Sequence, residues 1–427
     1  MTGLVSRVAR STWFRALIAV AFVALHVATL TKMGAARFNR PFNTDPGAAP
    51  AFMSAGEPMY GDSPAHWNRL VVARWDAQHY MGLALRGFSQ CPKQDLRGAD
   101  LAEVVKYCDF SFYPGYPLLG RLASLRGAIP IDYALFFVSL AASAMFLFLW
   151  TSAPIREALG LKVTYLSLLL INVFPTGFDL ATIQTEPCVL ACTLGSVVAM
   201  ARRRYLTASL LAGAATGLRI SGLATGAACG VALVASLWLD RPRSRASWAA
   251  RVAALPLAAW GVFAIMGFFW YRYSDPLLYV HAHDAAYSGL SSRSLWERFD
   301  SKFIFLTINQ ESWHRQEGIL IAACLLWLAL GLRRALAPFG SLVSLQLWTL
   351  TILGAGLSLF GSWAVAFAGM DRYWLLILPL FFAMAQVLRR APAALVLWLA
   401  LSSWAYWNID LCDYVAQKDY GQCQFMR

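Results

Sequence analysis

The sequence has 427 residues, of which 59% are hydrophobic and only 14% are charged, and its mean hydropathy is +0.52. Soluble domains carry about 25% charged residues, so this composition excludes an ordinary soluble protein. The net charge of +13 does not indicate a nucleic-acid partner, because the arginines fall in short segments between apolar runs, as they do in the cytoplasmic loops of membrane proteins.

About eleven apolar segments are predicted to form transmembrane helices, since roughly 20 apolar residues cross the hydrocarbon core. The predicted spans are 13–33, 129–150, 163–178, 182–200, 206–218, 221–239, 250–271, 318–332, 342–368, 373–388 and 392–408. The first span is interpreted as a signal anchor, because the apolar run after Arg15 lacks a small-residue cleavage site. The sequence therefore predicts an all-α polytopic membrane protein with a single integral-membrane domain over 1–427.

The loops between these spans alternate in charge. If Arg7, Arg10 and Arg15 lie in the cytoplasm, every later cytoplasmic loop is basic, as the positive-inside rule requires. These loops carry Arg156 with Lys162, RRR at 202–204, RPRSR at 241–245, RR at 333–334 and RR at 389–390. The amino terminus is therefore predicted to lie inside and the carboxyl terminus outside.

The opposite side of the membrane receives the long connections. They are a first extracytoplasmic loop over 34–128, a second over 272–317 and a tail over 409–427. The stretch 64–127 holds enough apolar residues to form interfacial helices that lie on the membrane without crossing it. Thin cytoplasmic turns and a large external face predict that the protein works on the external side.

Four of the eight cysteines are predicted to face the oxidising side, where disulfides persist. Cys91 and Cys108 lie in the first external loop, and Cys412 and Cys423 lie in the tail. Pairing within each segment is the favoured interpretation, although the four cysteines allow three connectivities. No cysteine–histidine pattern suggests a metal site.

Charged residues also occur at the ends of predicted helices, and the predicted topology places several of them on the external side of the membrane. The stretch RWDAQHYMGLALRGF at 74–88 holds Asp76 and His79 one helical turn apart. Glu186 follows a Pro/Gly-broken turn, and Arg219 lies between two helix halves with glycines on both sides. Asp371 and Arg372 begin a later span. Charges at membrane depth are costly and tend to be functional, so this convergence predicts a site.

This set of residues fits glycosyl transfer from a lipid-phosphate donor. A lipid phosphate is already a good leaving group, so a single carboxylate base suffices to deprotonate the acceptor hydroxyl. Arg219 and Arg372 are candidates to hold the phosphate, and His79 is a candidate to bind phosphate or a sugar hydroxyl beside Asp76.

Each assignment has a structural alternative. Asp76 also has Arg74 and Arg86 nearby as interface ion-pair partners, and His79 has a structural interpretation. Arg219 is also compatible with a snorkelling side chain, Arg372 with an interface anchor, and Glu186 with a helix cap before Pro187.

Several motifs resemble the PIG-V family, the second mannosyltransferases of glycosylphosphatidylinositol assembly, and its bacterial relatives. The first pair of matching segments is RWDAQHYMGLALRGF and DFSFYPGYPLLGRL, with Trp75, Asp76, Phe112, Pro114, Gly115, Tyr116, Pro117 and Leu118 in place. The later segments match through Asn172, Pro175, Thr185, Glu186, Arg219, Gly222, Arg372, Tyr373 and Pro379. Ile220 and Ser221 depart from the Ser-Asn of the family pattern, and 34–63 is longer than expected.

The resemblance implies a glycosyltransferase fold of the GT-C superfamily with an extracytoplasmic active site. It implies a polyprenyl- or dolichyl-phosphate-mannose donor, a glycolipid or glycan acceptor and inversion at the anomeric carbon. The sequence leads us to expect the lipid bilayer as a partner and no cofactor, metal, nucleic acid or obligate protein partner. Asp76 would be the catalytic base, with Arg219, Arg372 and His79 on the donor phosphate. The substrate pocket would include Arg74, Trp75, Tyr113, Tyr116, Glu186 and Asp371.

The Ala/Arg-rich composition and the absence of an N-x-S/T sequon favour a bacterial plasma membrane over the endoplasmic reticulum. Two alternatives to mannosyl transfer are a transporter or flippase of lipid-linked saccharides and a GT-C enzyme with another sugar donor. A transporter predicts repeat symmetry and polar groups near the midplane, whereas the polar groups here gather at one face.

Overall fold

The computed structural model describes residues 8–37, 76–88, 91, 95–96, 101–104, 108–240, 244–286, 312–360 and 371–406. Within these residues all regular secondary structure is helical, as the sequence predicts. The first half contains α1 (Thr12–Arg37), α2 (Ala77–Arg86), α3 (Leu101–Val104), α4 (Gly115–Ala123), α5 (Ile131–Trp150), α6 (Ala153–Asn172), α7 (Glu186–Ala201) and α8 (Tyr205–Leu218). The second half contains α9 (Gly222–Leu239), α10 (Arg245–Leu257), α11 (Trp260–Tyr273), α12 (Leu278–Ala286), α13 (Ser312–Leu336), α14 (Ser341–Phe360), α15 (Asp371–Leu375), α16 (Leu378–Leu388) and α17 (Pro392–Ala405).

Five of these helices are long and apolar enough to cross a membrane. They are α1, α5, α9, α13 and α14, and the bent pair α10–α11 makes a sixth if it is one span. Helices α7, α8, α16 and α17 are apolar but shorter. The fold is therefore compatible with a polytopic membrane protein, while the number of spans it supports by length is five or six.

The outer surface of the bundle is apolar. Large side chains such as Leu17, Phe137, Leu326, Ile352 and Val396 are exposed on five different helices. A water-soluble monomer rarely exposes so extensive an apolar surface, because water penalises it. A lipid environment removes that penalty, so this surface suggests a membrane protein.

The centre of the bundle is formed by α7 and α16. Helix α7 packs against α5, α8 and α14, while α16 packs against α13, α6 and α14. Almost every residue of α16 is buried, including Phe381, Phe382 and Met384. A helix that is hydrophobic on all sides is usually buried, and α16 is buried although it is short.

A second, smaller core joins the short helices to the bundle. Phe88 and Phe110 pack with Phe269 and Tyr273 of α11, and α3 contacts α12. Leu96 donates its backbone N–H to the Tyr273 carbonyl at 3.0 Å. The predicted interfacial region therefore contains helices too short to cross a membrane, held against the end of α11.

Two predicted span boundaries are wrong. The span predicted at 163–178 corresponds to the second part of α6, because Gly160 breaks this helix three residues before the predicted start, with a non-helical φ of +76° and ψ of +157°. The break separates Arg156 from Lys162. That helix ends at Asn172, and residues 173–185 form turns and a short 3-10 helix. The span predicted at 182–200 begins only at Glu186, where Pro187 occupies the first turn.

Two other predicted spans are broken by proline. The segment 250–271 bends by 49° between α10 and α11, next to Pro256. The segment 373–388 divides into α15 and α16, and Pro379 lies in the first turn of α16. Proline lacks the N–H that would continue the helical hydrogen-bond pattern, so both breaks have a local cause.

Candidate active site

Four charged residues from separate parts of the chain meet at one end of the bundle. Asp76 precedes α2, Glu186 begins α7, Arg219 lies between α8 and α9, and Arg372 lies in α15. Nη1 of Arg372 is 3.3 Å from Oδ2 of Asp76 and 4.0 Å from Oε1 of Glu186. Arg219 donates to the same Oε1 of Glu186. We call these four residues the charged cluster.

The turn between α8 and α9 determines where Arg219 points. Helix α8 ends at Leu218, Arg219 has an extended backbone, and α9 begins at Gly222. A Cβ on Gly222 would lie 1.9 Å from the Ala215 carbonyl oxygen, so the turn is tight enough to exclude any larger residue. The Arg219 guanidinium therefore reaches across to α7, where it also donates to Thr185 Oγ1 at 3.2 Å.

Glu186 is the most buried member of the cluster. Its side chain is 0% exposed, against 9% for Arg219 and 17% for Arg372. An ionised carboxylate in such a place requires charge partners, because desolvation alone would be prohibitive. Glu186 has two guanidiniums for this purpose, and its position in the first turn of α7 adds the favourable end of the helix dipole.

Asp76 is ionised at neutral pH in this environment. Burial by itself raises the pKa of the Asp76 carboxyl, but the neighbouring Arg372 and Arg219 outweigh burial and hold the pKa below its usual value. The carboxylate form of Asp76 therefore persists to lower pH than in an unfolded chain, and it is lost only as the pH falls through this depressed value.

The Pro-Gly-Tyr-Pro segment packs directly beneath Arg219. A Cβ on Gly115 would lie 2.2 Å from the carbonyl oxygen of Gly217, two residues before Arg219. The Tyr116 hydroxyl bonds to the Leu135 carbonyl at 3.0 Å and to Ser139 Oγ at 2.7 Å. Tyr116 is fully buried, so the structure gives this predicted pocket residue a packing role between α4 and α5.

We expect Gly115→Ala to lower the free energy of unfolding by about 1–3 kcal/mol, the usual cost of forcing extra volume into a packed interior. The added methyl group has no space against Gly217, so α4 must move away from α8. Chemical or thermal unfolding in detergent measures the effect. Gly230→Ala is the matched control, because a Cβ there has no neighbour within 4 Å and alanine favours the helix. Equal stability of the two variants would contradict the close approach.

His79 is held beside the cluster by a residue that the sequence analysis did not select. Nδ1 of His79 is 2.7 Å from Oδ1 of Asp109, and the imidazole stacks on Phe112 with ring centroids 4.1 Å apart. Asp109 is the first residue of the motif DFSFYPGYP. The occurrence of that motif after the helix of His79 was the only sequence feature that could have indicated the pair. The separation of the two residues along the chain does not predict a contact between them.

Tyrosines surround Arg219. Its guanidinium lies 4.9 Å from the ring centroid of Tyr373, a cation–π distance. Tyr113 meets Tyr279 of α12 edge-on, with ring centroids 4.4 Å apart. Burial raises the pKa of the Tyr113 phenol. Tyr113 was predicted in the pocket, whereas Tyr279 was not, because it comes from the second long connection.

Tyr373 also lines a mostly apolar recess between α7, α9 and α14, together with Ser221 and Leu350.

A disulfide joins Cys91 to Cys108, immediately before Asp109. This is the within-segment pairing that the sequence favours. The Arg272 guanidinium donates to the Phe88 and Cys91 carbonyls at 3.2 Å each, which ties the segment to α11. Cys412 and Cys423 lie outside the described residues, as do Arg74 and Trp75, and so does the side chain of Asp371.

Comparisons with protein-family models, with curated proteins and with solved structures find no match to this chain. Across the described ranges, no group of three or more His, Cys, Asp or Glu side chains is arranged to hold a metal ion.

Proposed function

We propose that the protein is an inverting α-mannosyltransferase that moves mannose from a polyprenyl- or dolichyl-phosphate-mannose donor to a glycolipid or glycan acceptor. The observation that carries the proposal is the charged cluster. It places a carboxylate 3.3 Å from a guanidinium, beside a second guanidinium, at one end of an apolar helix bundle. A molecule with an anionic head group and a lipid chain fits this site, because the guanidiniums can bind the head group and the apolar bundle lies next to the chain.

Each group of the cluster has a role in this reaction. Asp76 accepts the proton of the acceptor hydroxyl while that oxygen attacks C1 of the sugar. The C1–oxygen bond to phosphate breaks on the opposite face of the sugar, and its electron pair stays on the phosphate. Arg372 and Arg219 stabilise the negative charge that accumulates there. Attack opposite the leaving group inverts the anomeric configuration.

The two arginines contribute unequally. Arg219 is nearly enclosed and is bonded to Glu186 and Thr185, whereas Arg372 is more exposed and stands farther from its carboxylates. A phosphate therefore reaches Arg372 with less rearrangement. In this proposal Arg372 makes the first contact with the donor phosphate. The ion pair of Arg219 with Glu186 forms the buried side of the site.

The order of the helices is compatible with an extracytoplasmic site, and the GT-C architecture with eleven spans remains part of this proposal. Helices α7 and α16 have the charged cluster at or near their first residues and are followed by arginines, namely 202–204 and 389–390. Helix α8 runs the other way, from the arginines to Arg219. Basic turns at one end and the cluster at the other agree with a positive-inside topology in a bacterial plasma membrane.

The direct test supplies purified protein with polyprenyl-phosphate mannose and a panel of acceptor lipids, with polyprenyl-phosphate glucose as the matched control donor. We expect consumption of the mannose donor, an α-linked product and no effect of EDTA. Use of glucose in preference to mannose would move the proposal to another sugar. Movement of a labelled lipid-linked saccharide across proteoliposomes without any transfer would instead establish a flippase.

A further inference from the structure

The His79–Asp109 pair lies beside the charged cluster and has no part in the transfer step described above. Its side chains are 26% and 20% exposed, so it lies at the boundary between the enclosed cluster and the surroundings. The stacking on Phe112 and the 2.7 Å contact with Asp109 leave the imidazole one orientation. A histidine fixed by a carboxylate in this way is a common arrangement for proton transfer.

The pair itself is anchored from two directions. His79 is on α2, whose first turn follows Asp76. Asp109 follows Cys108, which the disulfide links to Cys91, and the Asp109 carbonyl accepts the backbone N–H of Phe112 at 3.1 Å. The covalent link restrains the backbone directly at Asp109. An anchored carboxylate favours the Nδ1–H form of the imidazole, so that Nε2 carries the lone pair that accepts a proton.

A proton acceptor lies close to the charged cluster. Arg372 makes Asp76 a weak base, so an Asp76 that has taken the acceptor's proton is a strong acid and gives that proton readily to a neighbouring base. His79 lies three residues after Asp76, and side chains at this spacing share a helix face about 5–6 Å apart at Cβ. His79 is close enough to Asp76 to influence its carboxylate electrostatically, which agrees with this placement.

We propose that the His79–Asp109 pair receives the proton that Asp76 takes from the acceptor hydroxyl, and thereby returns Asp76 to its carboxylate form. This inference rests on the proposed function. The hydroxyl O–H bond breaks, its oxygen bonds to C1, and the C1–phosphate bond electrons leave with the phosphate. The proton goes from Asp76 to His79 Nε2, where Asp109 stabilises the imidazolium, and then to water. His79 and Asp109 act through Asp76 and are positioning and relay residues.

The charged and titratable groups around this relay come from five places in the chain. They are Asp109 before α4, Arg372 of α15, Arg219 between α8 and α9, Glu186 of α7, and Asp76, Tyr80 and Arg86 on or beside α2. The two carboxylates and two guanidiniums of the cluster have no net charge, and Asp109 and Arg86, which both lie next to Gly82, add none. The imidazolium is stabilised by its direct contact with Asp109 at 2.7 Å.

Chemical rescue tests the relay in the active protein. We expect His79→Ala to lower kcat by about 10²-fold, a typical effect of losing one proton-transfer group, with the donor KM nearly unchanged. Added imidazole should restore at least a tenth of the lost rate by occupying the space beside Phe112. The rescue should vanish in the double variant with Asp109→Asn. A large rise in donor KM without rescue would overturn the relay and favour a phosphate-binding His79.

The structure contains a matched control pair. His281 of α12 contacts Asp275 through Nδ1 at 2.6 Å, much as His79 contacts Asp109, but among the described residues this pair forms no hydrogen bond or ion pair with the charged cluster. We expect His281→Ala to keep the wild-type kcat and to show no response to imidazole. A response equal to that of His79→Ala would mean that imidazole acts on the reaction generally, and the relay would be rejected.

A measurement without substrate separates failure of the relay from failure of the proposed function. The tautomer of His79 is read from the nitrogen NMR shifts of histidine-labelled protein, with His79→Gln identifying the signal. We expect the wild type to hold the Nδ1–H form and Asp109→Asn to lose that preference, because the carboxylate that accepts the Nδ1 proton is gone. An unchanged tautomer in Asp109→Asn would refute the pair even in an active enzyme. Loss of the preference in a protein that transfers no sugar would leave the pair standing and refute the mannosyltransferase.

Discussion

We expect Asp76→Asn to lower the rate of mannose transfer by about 10²–10⁴-fold, the range found when a general base is removed. Asparagine keeps the shape of the side chain and still accepts a hydrogen bond from Arg372, but it cannot take up the acceptor's proton. The donor KM should change much less than kcat. Initial rates with radiolabelled donor over a range of acceptor concentrations provide the measurement.

Glu157→Gln is the matched control, because this carboxylate is exposed on α6 and lies outside the charged cluster. It should keep the wild-type rate. Near wild-type turnover by Asp76→Asn would show that Asp76 is only the ion-pair partner of Arg372, and the base would have to be sought elsewhere.

The pH dependence provides an independent check on Asp76. Since Arg372 and Arg219 hold the pKa of this carboxyl below its ordinary value of about 4, its protonation cannot reduce activity above that pH. A loss of activity between about pH 6 and 7 must therefore arise from a group other than Asp76. The pH–rate profile of the wild type between about pH 4 and 8 provides the measurement, and a limb above about pH 5 that is traced to Asp76 would contradict the depressed pKa.

We expect Glu186→Gln to lower the free energy of unfolding by about 3–5 kcal/mol, the cost of leaving one member of a buried ion pair without its partner. Arg219 would keep its full charge in an enclosed position, and Arg372 would lose the second of its carboxylates. Mannose transfer should fall as well, because both guanidiniums would shift. Unfolding by denaturant in detergent measures the stability change.

The double variant Glu186→Gln with Arg219→Gln is the informative comparison. Removing both charges leaves no isolated buried ion, so most of the stability should return, whereas transfer should stay low because a phosphate-binding guanidinium is absent. A double-mutant cycle gives the coupling directly. If the double variant loses as much free energy of unfolding as the two single variants together, Arg219 and Glu186 act independently.

Sequence reasoning and structure agree best on the helices and least on their ends. Helices α5, α8 and α9 begin and end within two residues of their predicted spans, because long apolar runs bounded by prolines, glycines or arginines have one local solution. The errors lie between α6 and α7, where residues 173–178 and 182–185 were predicted to continue the spans and instead form turns and a short 3-10 helix. The apolar composition of this stretch agrees with its burial, but composition does not distinguish a buried turn from a buried helix.

The candidate site shows the same division. The predicted topology assigned Asp76, Glu186, Arg219 and Arg372 to one side, and the structure brings all four together. The predicted topology could not show which of these residues form ion pairs with each other. The alternative of Asp76 pairing with Arg74 or Arg86 along its own helix was equally compatible with spacing, whereas the structure pairs Asp76 with Arg372, 296 residues away.

The sequence by itself determined that the chain is helical and apolar, where proline breaks its helices, and which charged residues are too costly to be incidental. Those properties depend on neighbours along the chain and on the energy of transfer from water. Only the tertiary structure decided that Asp109 holds His79, that Tyr279 joins Tyr113, and that Glu186 lies between two arginines. Such contacts depend on how distant helices pack, because an ion pair or a stacked ring forms only where packing brings its partners within a few ångströms.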